Sequence, residues 1–359
     1  IERHEADVRA LALRLWEHPE VGYQEVQASA WLAEYLAAHG FAVSKPFGGL
    51  PTAFNACCAH GAGPTVAILA EYDALPEIGH GCGHNLLGAA SVAAGLGVAA
   101  VIEQTGGRIC VMGTPAEEFA NQEEGKTRML KAGAFEGIDV AIGLHPDSQP
   151  SAVVGSDNGF IGFELVFHGR RAHAASDPWN GANALDALLL TFANINALRQ
   201  HVHPDVRIHG VITDGGVVPN IIPERAAGRF MVRASQPARL EDVYARVQDC
   251  ARGAATATGT TVDIIHVTTV YNTRFNATLN RLVAANFALV GEPLAPQPRT
   301  IGGSTDFGNV SQVIPSTWFT IKTHPEGIAW HSTTSADGSR DEVALRAMIM
   351  GARILCGAI

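Results

Sequence analysis

Between residues 65 and 144, short apolar runs alternate with helical patterns, and this alternation constrains the fold more than any other feature of the chain. Residues 65–70, 108–112 and 140–144 read as strands, and 86–104 and 125–134 as helices. Such alternation implies a parallel or mixed sheet covered by helices on both faces. Upstream, Leu11, Leu15, Val26, Trp31, Leu32 and Tyr35 recur at near-helical spacing, and Gly40 supplies a C-cap. A strand is expected at 41–44.

The pattern changes near Val153. Strands at 162–168, 207–213, 229–233 and 261–267 are interleaved with helices at 181–198 and 240–256. Strand, helix, strand, strand, helix, strand is the order of a ferredoxin-like split βαβ unit, placed here at 160–275. A helix at 279–289, a strand at 316–322 and a helix at 341–354 then resume the first pattern. The expected fold class is α/β. A discontinuous mixed-sheet domain, 1–159 and 276–359, has helices on both faces and is interrupted by an inserted α+β domain. The Pro/Gly-rich stretch 291–303 reads as a loop.

A length of 359 residues suits two or three domains, and 47% apolar with 17% charged residues describes a globular chain. The net charge of −10 argues against nonspecific binding to nucleic acid or anionic membranes. It does not exclude an anionic substrate, because a local metal or arginine reverses the field inside a cleft. The apolar stretch 86–102 is made of small residues and falls short of the ~20 needed to span a bilayer, so it reads as a buried helix. Six scattered cysteines form no small disulfide framework; reduced thiols in a cytoplasmic compartment are expected, with Cys57 and Cys58 as small buried residues. The charged start Ile1-Glu2-Arg3-His4-Glu5 does not read as a signal peptide.

The chemistry concentrates just after the predicted strands. In His80-Gly81-Cys82-Gly83-His84-Asn85, a thiol and an imidazole two residues apart suit Zn²⁺ and its neighbours, and the glycines allow an irregular backbone. A glycine-rich turn with a buried Cys and a capping His is the structural alternative. Thr114-Pro115-Ala116-Glu117-Glu118 ends a strand in two carboxylates, one able to ligate metal and the other to act as general base. A solvated helix N-terminus would also favour acids there. His145 follows the strand at 140–144, and Asp73 follows that at 65–70. In open α/β sheets, sites form beyond the carboxyl ends of strands. Four such clusters together point to a metal site.

These motifs resemble the zinc-dependent family of aminoacylases, glutamate carboxypeptidases and succinyl-diaminopimelate desuccinylases. Within it they resemble the amidohydrolase branch of auxin-conjugate and aminobenzoyl-glutamate hydrolases. The resemblance runs from His18-Pro19-Glu20-Val21-Gly22 to the C-terminal helix. It implies Cys82, His84, Glu118, His145 and His331 as ligands of a two-metal site, Glu117 as general base and Asp73 as a carboxylate orienting the ligands. His324, in Thr323-His324-Pro325, is the second choice for the last ligand. Asn85 stands where the branch often has Asp, and Gly81 where Ala is frequent. Both departures favour the aminobenzoyl-glutamate and dipeptide-hydrolase subgroup over the auxin-conjugate enzymes.

The resemblance also makes the inserted domain a lid that dimerises the chain. It gives His173 the role of an oxyanion donor reaching a partner subunit's site. A His capping a loop is the structural alternative. Asn220, Ser304 and Thr305 match positions near the substrate, although turn roles explain them too. His209 is a candidate lid contact, while His201 and His203 have no ligand spacing. The implied reaction is hydrolysis of an amide or peptide C–N bond in an N-acyl amino acid, an aminobenzoyl-glutamate-like conjugate or a dipeptide. One or two ions of Zn²⁺ or Mn²⁺, or of Co²⁺ or Ni²⁺, would serve it. Hydrolytic deamination of a small aromatic amine at the same site, a non-catalytic metal-binding relative, and a Cys82-nucleophile hydrolase are the competing readings.

Overall fold

The computed structural model describes residues 1–118 and 122–359. Two compact units are present. One contains the chain from Ile1 to Glu118 with Glu124–Asp157 and Thr273–Ile359; the other contains Asn158–Asn272. Mixed α/β architecture with a mixed sheet is thus the observed class.

In chain order the first unit contains α1 (Glu5–Glu17), α2 (Val26–Ala38), β1 (Ala42–Ser44), β2 (Phe54–His60), β3 (Thr65–Ala70), α3 (His84–Ala99), α4 (Ile102–Thr105), β4 (Gly107–Gly113), α5 (Gly125–Lys131), β5 (Val140–Asp147) and β6 (Ala152–Ser156). The second unit contains β7 (Gly159–His168), α6 (Ala184–Leu198), β8 (Arg207–Asp214), β9 (Arg225–Ala234), α7 (Pro237–Thr258) and β10 (Thr261–Val270). The chain returns to the first unit through α8 (Ala277–Val290), β11 (Arg299–Thr300), α9 (Phe307–Ser311), β12 (Ser316–Lys322), α10 (Thr333–Gly338) and α11 (Glu342–Ala358).

The sheet of the first unit has eight strands in the order β1-β2-β4-β3-β5-β12-β6-β11. β3 pairs in parallel with β4 and with β5, and β12 pairs in parallel with β5. Side chains alternate across this sheet. Val66, Ile68 and Ala70 of β3 join the core shared with α1, α2, α3 and α11, while Ala67 and Leu69 join a second core with Met129, Phe307 and Val310. Burial on both faces is why these strands are almost wholly apolar.

The small residues of α3 have a packing reason. A Cβ at Gly88 would come within 2.9 Å of the Glu71 carbonyl oxygen, and one at Gly95 within 2.4 Å of Val111 Cγ2. Added methyl groups there would overpack the helix–sheet contact, a cost of about 1–3 kcal/mol. No helix among the described residues is long and apolar enough to cross a membrane.

The second unit has four antiparallel strands in the order β10-β7-β9-β8, the ferredoxin-like arrangement expected from element order. α6 and α7 bury Leu188, Ile195, Leu240, Val243 and Val247 in one core with Phe163, Leu165 and Phe230. Asn183 caps α6 by accepting from the N–H groups of Leu185 and Asp186, and Gly259 ends α7 at φ +65°.

Three differences from expectation have physical causes. β2, β6 and β11 carry weak strand signals; β2 reads Phe-Asn-Ala-Cys-Cys-Ala-His, poor in β-branched residues, and forms because β4 supplies a ladder. β5 runs on to Asp147, so His145 lies within the strand, because β12 pairs with it as far as Lys322↔Asp147. The expectation of reduced, merely space-filling cysteines is corrected for one pair. Cys57 and Cys110 face each other across β2 and β4 and form a disulfide, and Cys57 and Cys58 are only half-buried. Cys58, Cys82, Cys250 and Cys356 are free.

Candidate metal centre

Because β3, β4 and β5 are parallel, their carboxyl ends open on one edge of the sheet, where the polar clusters gather. Glu71 and Asp73 follow β3, Glu117 and Glu118 follow β4, and His145 lies near the end of β5. Gly83, at φ +74°, lets the chain turn sharply into α3, whose first residue is His84. His331 arrives from the segment before α10 with a left-handed backbone, φ +58°, just ahead of a capping box at Ser332.

Side-chain hydrogen bonds fix how the donors point. His84 Nδ1 lies 3.0 Å from Asp73 Oδ1, and His145 Nδ1 lies 2.7 Å from the Pro146 carbonyl oxygen. Both acceptors take an Nδ1 proton, so Nε2 is the nitrogen that each ring turns toward the other donors. His145 Nε2 is 3.6 Å from Cys82 Sγ. Asp73 Oδ2 accepts the Glu118 N–H at 2.9 Å, and Glu118 Oε1 lies 3.3 Å from His331 Nε2. Donor atoms fall into three groups within 4.8 Å: Cys82, His84 and His145; Cys82, Glu118 and His331; and Glu71, His84 and Glu117.

These residues fit a divalent ion. His84 Nε2 and Glu118 Oε1 are buried and meet only other candidate donors, Glu71 Oε2 at 3.2 Å and His331 Nε2 at 3.3 Å. Leaving such atoms unsatisfied is costly unless a cation meets them. Thiolate, imidazole and carboxylate in one cluster match the ligand chemistry of zinc and its neighbours. The acidity of the cluster agrees. Burial, then Glu118 and Glu117, push the Cys82 thiol well up, and burial, then Glu71 and Glu118, do the same to Glu117. Burial opposes a charged His84, but Asp73, Glu71 and Glu118 outweigh it and raise its pKa to about 10. Excess negative charge in this cleft therefore retains protons, a demand that a divalent ion meets equally well.

Among the expected site residues, the structure brings Asp73, Cys82, His84, Glu117, Glu118, His145 and His331 together at this edge. His324 is not in these donor groups. That ring is buried, with Nδ1 2.7 Å from Thr323 Oγ1 and Nε2 2.9 Å from the Ser335 carbonyl. Thr305 accepts the Phe307 N–H on its hydroxyl and the Gly308 N–H on its carbonyl, and Ser304 beside it is half-buried. Asn85 bonds the carbonyls of Ala12 and Ser339 and so ties α1 to the end of α10.

Within the second unit, His173 and Asn220 lie on paired loops. His173 bridges to Ile221, and the Asn220 carbonyl accepts the Ala174 N–H at 3.0 Å. His173 Nδ1 accepts the N–H groups of Ala175 and Ser176 at 3.2 and 3.1 Å. The proton of the neutral ring is then on Nε2, and the side chain is exposed. His209 lies 3.4 Å from Arg233 Nε, and burial and that guanidinium lower its pKa.

Sequence reasoning missed Glu71, Lys126 and Glu25. Lys126 is fully buried, with Nζ 2.8 Å from Glu71 Oε1 and in contact with Asp306, whose Oδ2 also accepts the Lys126 N–H at 2.7 Å. Burial alone would strip its proton, but Asp306, Glu71 and Glu117 hold it as an ammonium. Glu25 accepts the Ala116 N–H at 2.8 Å and so braces the turn before Glu117, where Ala116 has φ +58°. A Glu two residues before Asp73, and a Lys opening a helix just after the Glu-Glu pair, were the available signals.

Residues 156–258 match the family description "Peptidase dimerisation domain". The chain is 41% identical over 323 residues to the mouse Xaa-Arg dipeptidase, covering 85% of this chain and 74% of that protein. It is 36% identical over 273 residues to a component of the p-aminobenzoyl-glutamate hydrolase of Escherichia coli, covering 70% of this chain and 56% of that protein. A dinuclear metal-binding peptidase of the M20 family from Bacillus subtilis has the same fold, with a TM-score of 0.70 at 20% identity and both chains covered in full, 100% each. A putative aminohydrolase from Staphylococcus aureus superposes with a TM-score of 0.80 at 19% identity, covering 99% of this chain and 96% of that one. A dimerisation-domain match over the inserted unit, with a dipeptidase 41% identical over most of the chain, settles the kinship: the chain belongs to the M20 family of metal-dependent peptidases and amidohydrolases.

Proposed function

We propose that this chain hydrolyses the amide C–N bond of a dipeptide, an N-acyl amino acid or an aminobenzoyl-glutamate-like conjugate. The observation that carries the reading is Asp73, whose one carboxylate contacts both His84 Nδ1 and the Glu118 N–H and so aims two donors at one cleft. Cys82, His84, Glu118, His145 and His331 are the proposed ligands, of Zn²⁺ or Mn²⁺ first, with Co²⁺ or Ni²⁺ as substitutes. Ions held there supply Lewis acidity, acidifying water and polarising a carbonyl.

The remaining work falls to side chains. Glu117 adjoins a proposed ligand and is not itself in the Cys82 groups. It takes the proton of the attacking water and passes it to the leaving amine. Cys82 serves as a ligand and not as a nucleophile. His173, whose Nδ1 is occupied by two backbone donors, offers Nε2–H to a developing oxyanion. The second unit, carrying the dimerisation match, is proposed to pair two copies of the chain. Asn220, His209, Ser304 and Thr305 are each proposed as substrate contacts. Four free cysteines keep the cytoplasm as the working location, with the Cys57–Cys110 bridge as the contrary observation.

The test is amine release from Xaa-Arg dipeptides, aminobenzoyl-glutamate and N-acyl amino acids, with and without chelator. Release that a chelator stops and Mn²⁺ or Zn²⁺ restores is expected. No release from any compound by metal-loaded protein would overturn the proposal.

A further inference from the structure

Glu71 follows the end of β3 by one residue and is only 5% exposed. Its two oxygens have different partners. Oε1 takes Lys126 Nζ at 2.8 Å, and Oε2 stands 3.2 Å from His84 Nε2. Since Asp73 occupies His84 Nδ1, Nε2 is the nitrogen left for an ion.

Two donors of one divalent ion, each about 2.0–2.2 Å from it, stand roughly 3.0–3.5 Å apart at octahedral to tetrahedral angles. The 3.2 Å between Glu71 and His84 falls inside that window, as does the 3.3 Å between Glu118 and His331. Glu71 and His84 also share a 4.8 Å donor group with Glu117.

Charge counting points the same way. Lys126 is a single buried cation, and Asp306 already meets it with its side chain and accepts its backbone N–H. Glu71 is a second buried carboxylate on the same ammonium. Beyond Lys126, the charge that balances Glu71 has to come from the side of His84 Nε2, 3.2 Å from Glu71 Oε2, either as a proton on that ring or as a divalent ion in its place.

We propose that Glu71 is a further metal ligand, giving Oε2 to the ion that His84 holds, while Lys126, anchored by Asp306, positions the carboxylate through Oε1. The assignment rests on the metal-dependent reading above. Lys126 lies in α5 and Asp306 at the start of α9, so one ligand is held by two helices distant in sequence.

The test compares wild-type protein with Glu71→Gln, which keeps the side chain's size. Both are stripped with chelator and titrated with Mn²⁺ and Zn²⁺ by calorimetry and chelator competition. One ion is expected to bind at least about tenfold more weakly to the variant, with the other unchanged and the stripped proteins melting alike. Equal affinities for every ion in the two proteins overturn the role of Glu71 alone. Wild-type protein that takes up no ion overturns the hydrolase reading and this assignment with it. A crystal structure of wild-type protein grown with Mn²⁺ decides the matter without a variant. A Glu71 oxygen within about 2.3 Å of an ion supports the assignment, and one beyond about 3 Å overturns it.

Discussion

Asp73 Oδ1 stands 3.0 Å from His84 Nδ1, and both side chains are almost wholly buried. The imidazole donates to the carboxylate, which fixes both its tautomer and its angle. The other oxygen of Asp73 takes the Glu118 N–H, so one residue orients two donors. Asp73→Ala should therefore weaken metal binding by about 10- to 100-fold, measured by competition with a fluorescent chelator. Undiminished affinity in that variant would remove Asp73 from the centre.

Glu117→Gln separates chemistry from metal binding. A lost general base should lower kcat by about 10²–10⁴-fold. Metal content, read by mass spectrometry of the purified variant, should match the wild type. A variant that emerges without metal would make Glu117 a ligand.

Glu25 gives a pH signature of stability. Burial first, and then the charge of Asp73, raise its pKa from 4.5 to about 7 in the folded chain. The folded state then holds a proton that the unfolded chain releases. Its contribution is complete below pH 4.5 and is lost as pH rises through about 7. The shift corresponds to a loss of about 3 kcal/mol across that window. Glu25→Gln cannot ionise, so its melting temperature relative to wild type should rise between pH 5 and pH 8 in chelator-stripped protein. A pH-independent difference would mean that Glu25 does not titrate in this range.

His173→Ala tests the oxyanion donor. Loss of one such donor costs about 10²–10³-fold in kcat, and metal affinity should stay as it was. Unaltered kcat would leave His173 with its loop-capping role, in which Nδ1 holds the N–H groups of Ala175 and Ser176.

Much of the centre was legible as pattern. Cys82 and His84 stand out by spacing, and Glu117 and Glu118 by pairing after an apolar strand. His331 and His324 could not be separated that way. Both are His residues in one loop-rich stretch, and the difference lies in partners: Thr323 and Ser335 occupy both nitrogens of His324, whereas His331 meets Glu118. Lys126 was invisible because a lysine next to acids reads as solvated, and only the fold reveals that its ammonium is buried between Glu71 and Asp306.

The sequence by itself determined the alternation that builds the mixed sheet, the split βαβ order of the inserted unit, and the residue types of the candidate metal centre. These follow from local periodicity and from short-range spacing, which a chain carries in its letters. Only the tertiary structure decided that Cys57 faces Cys110, that His145 lies inside β5, and that Glu71 shares Lys126 with Asp306. Each depends on strand register or on contact between elements far apart in sequence. Register is set by pairing across the whole sheet, and buried charge by packing on every side, so neither is written in any single segment.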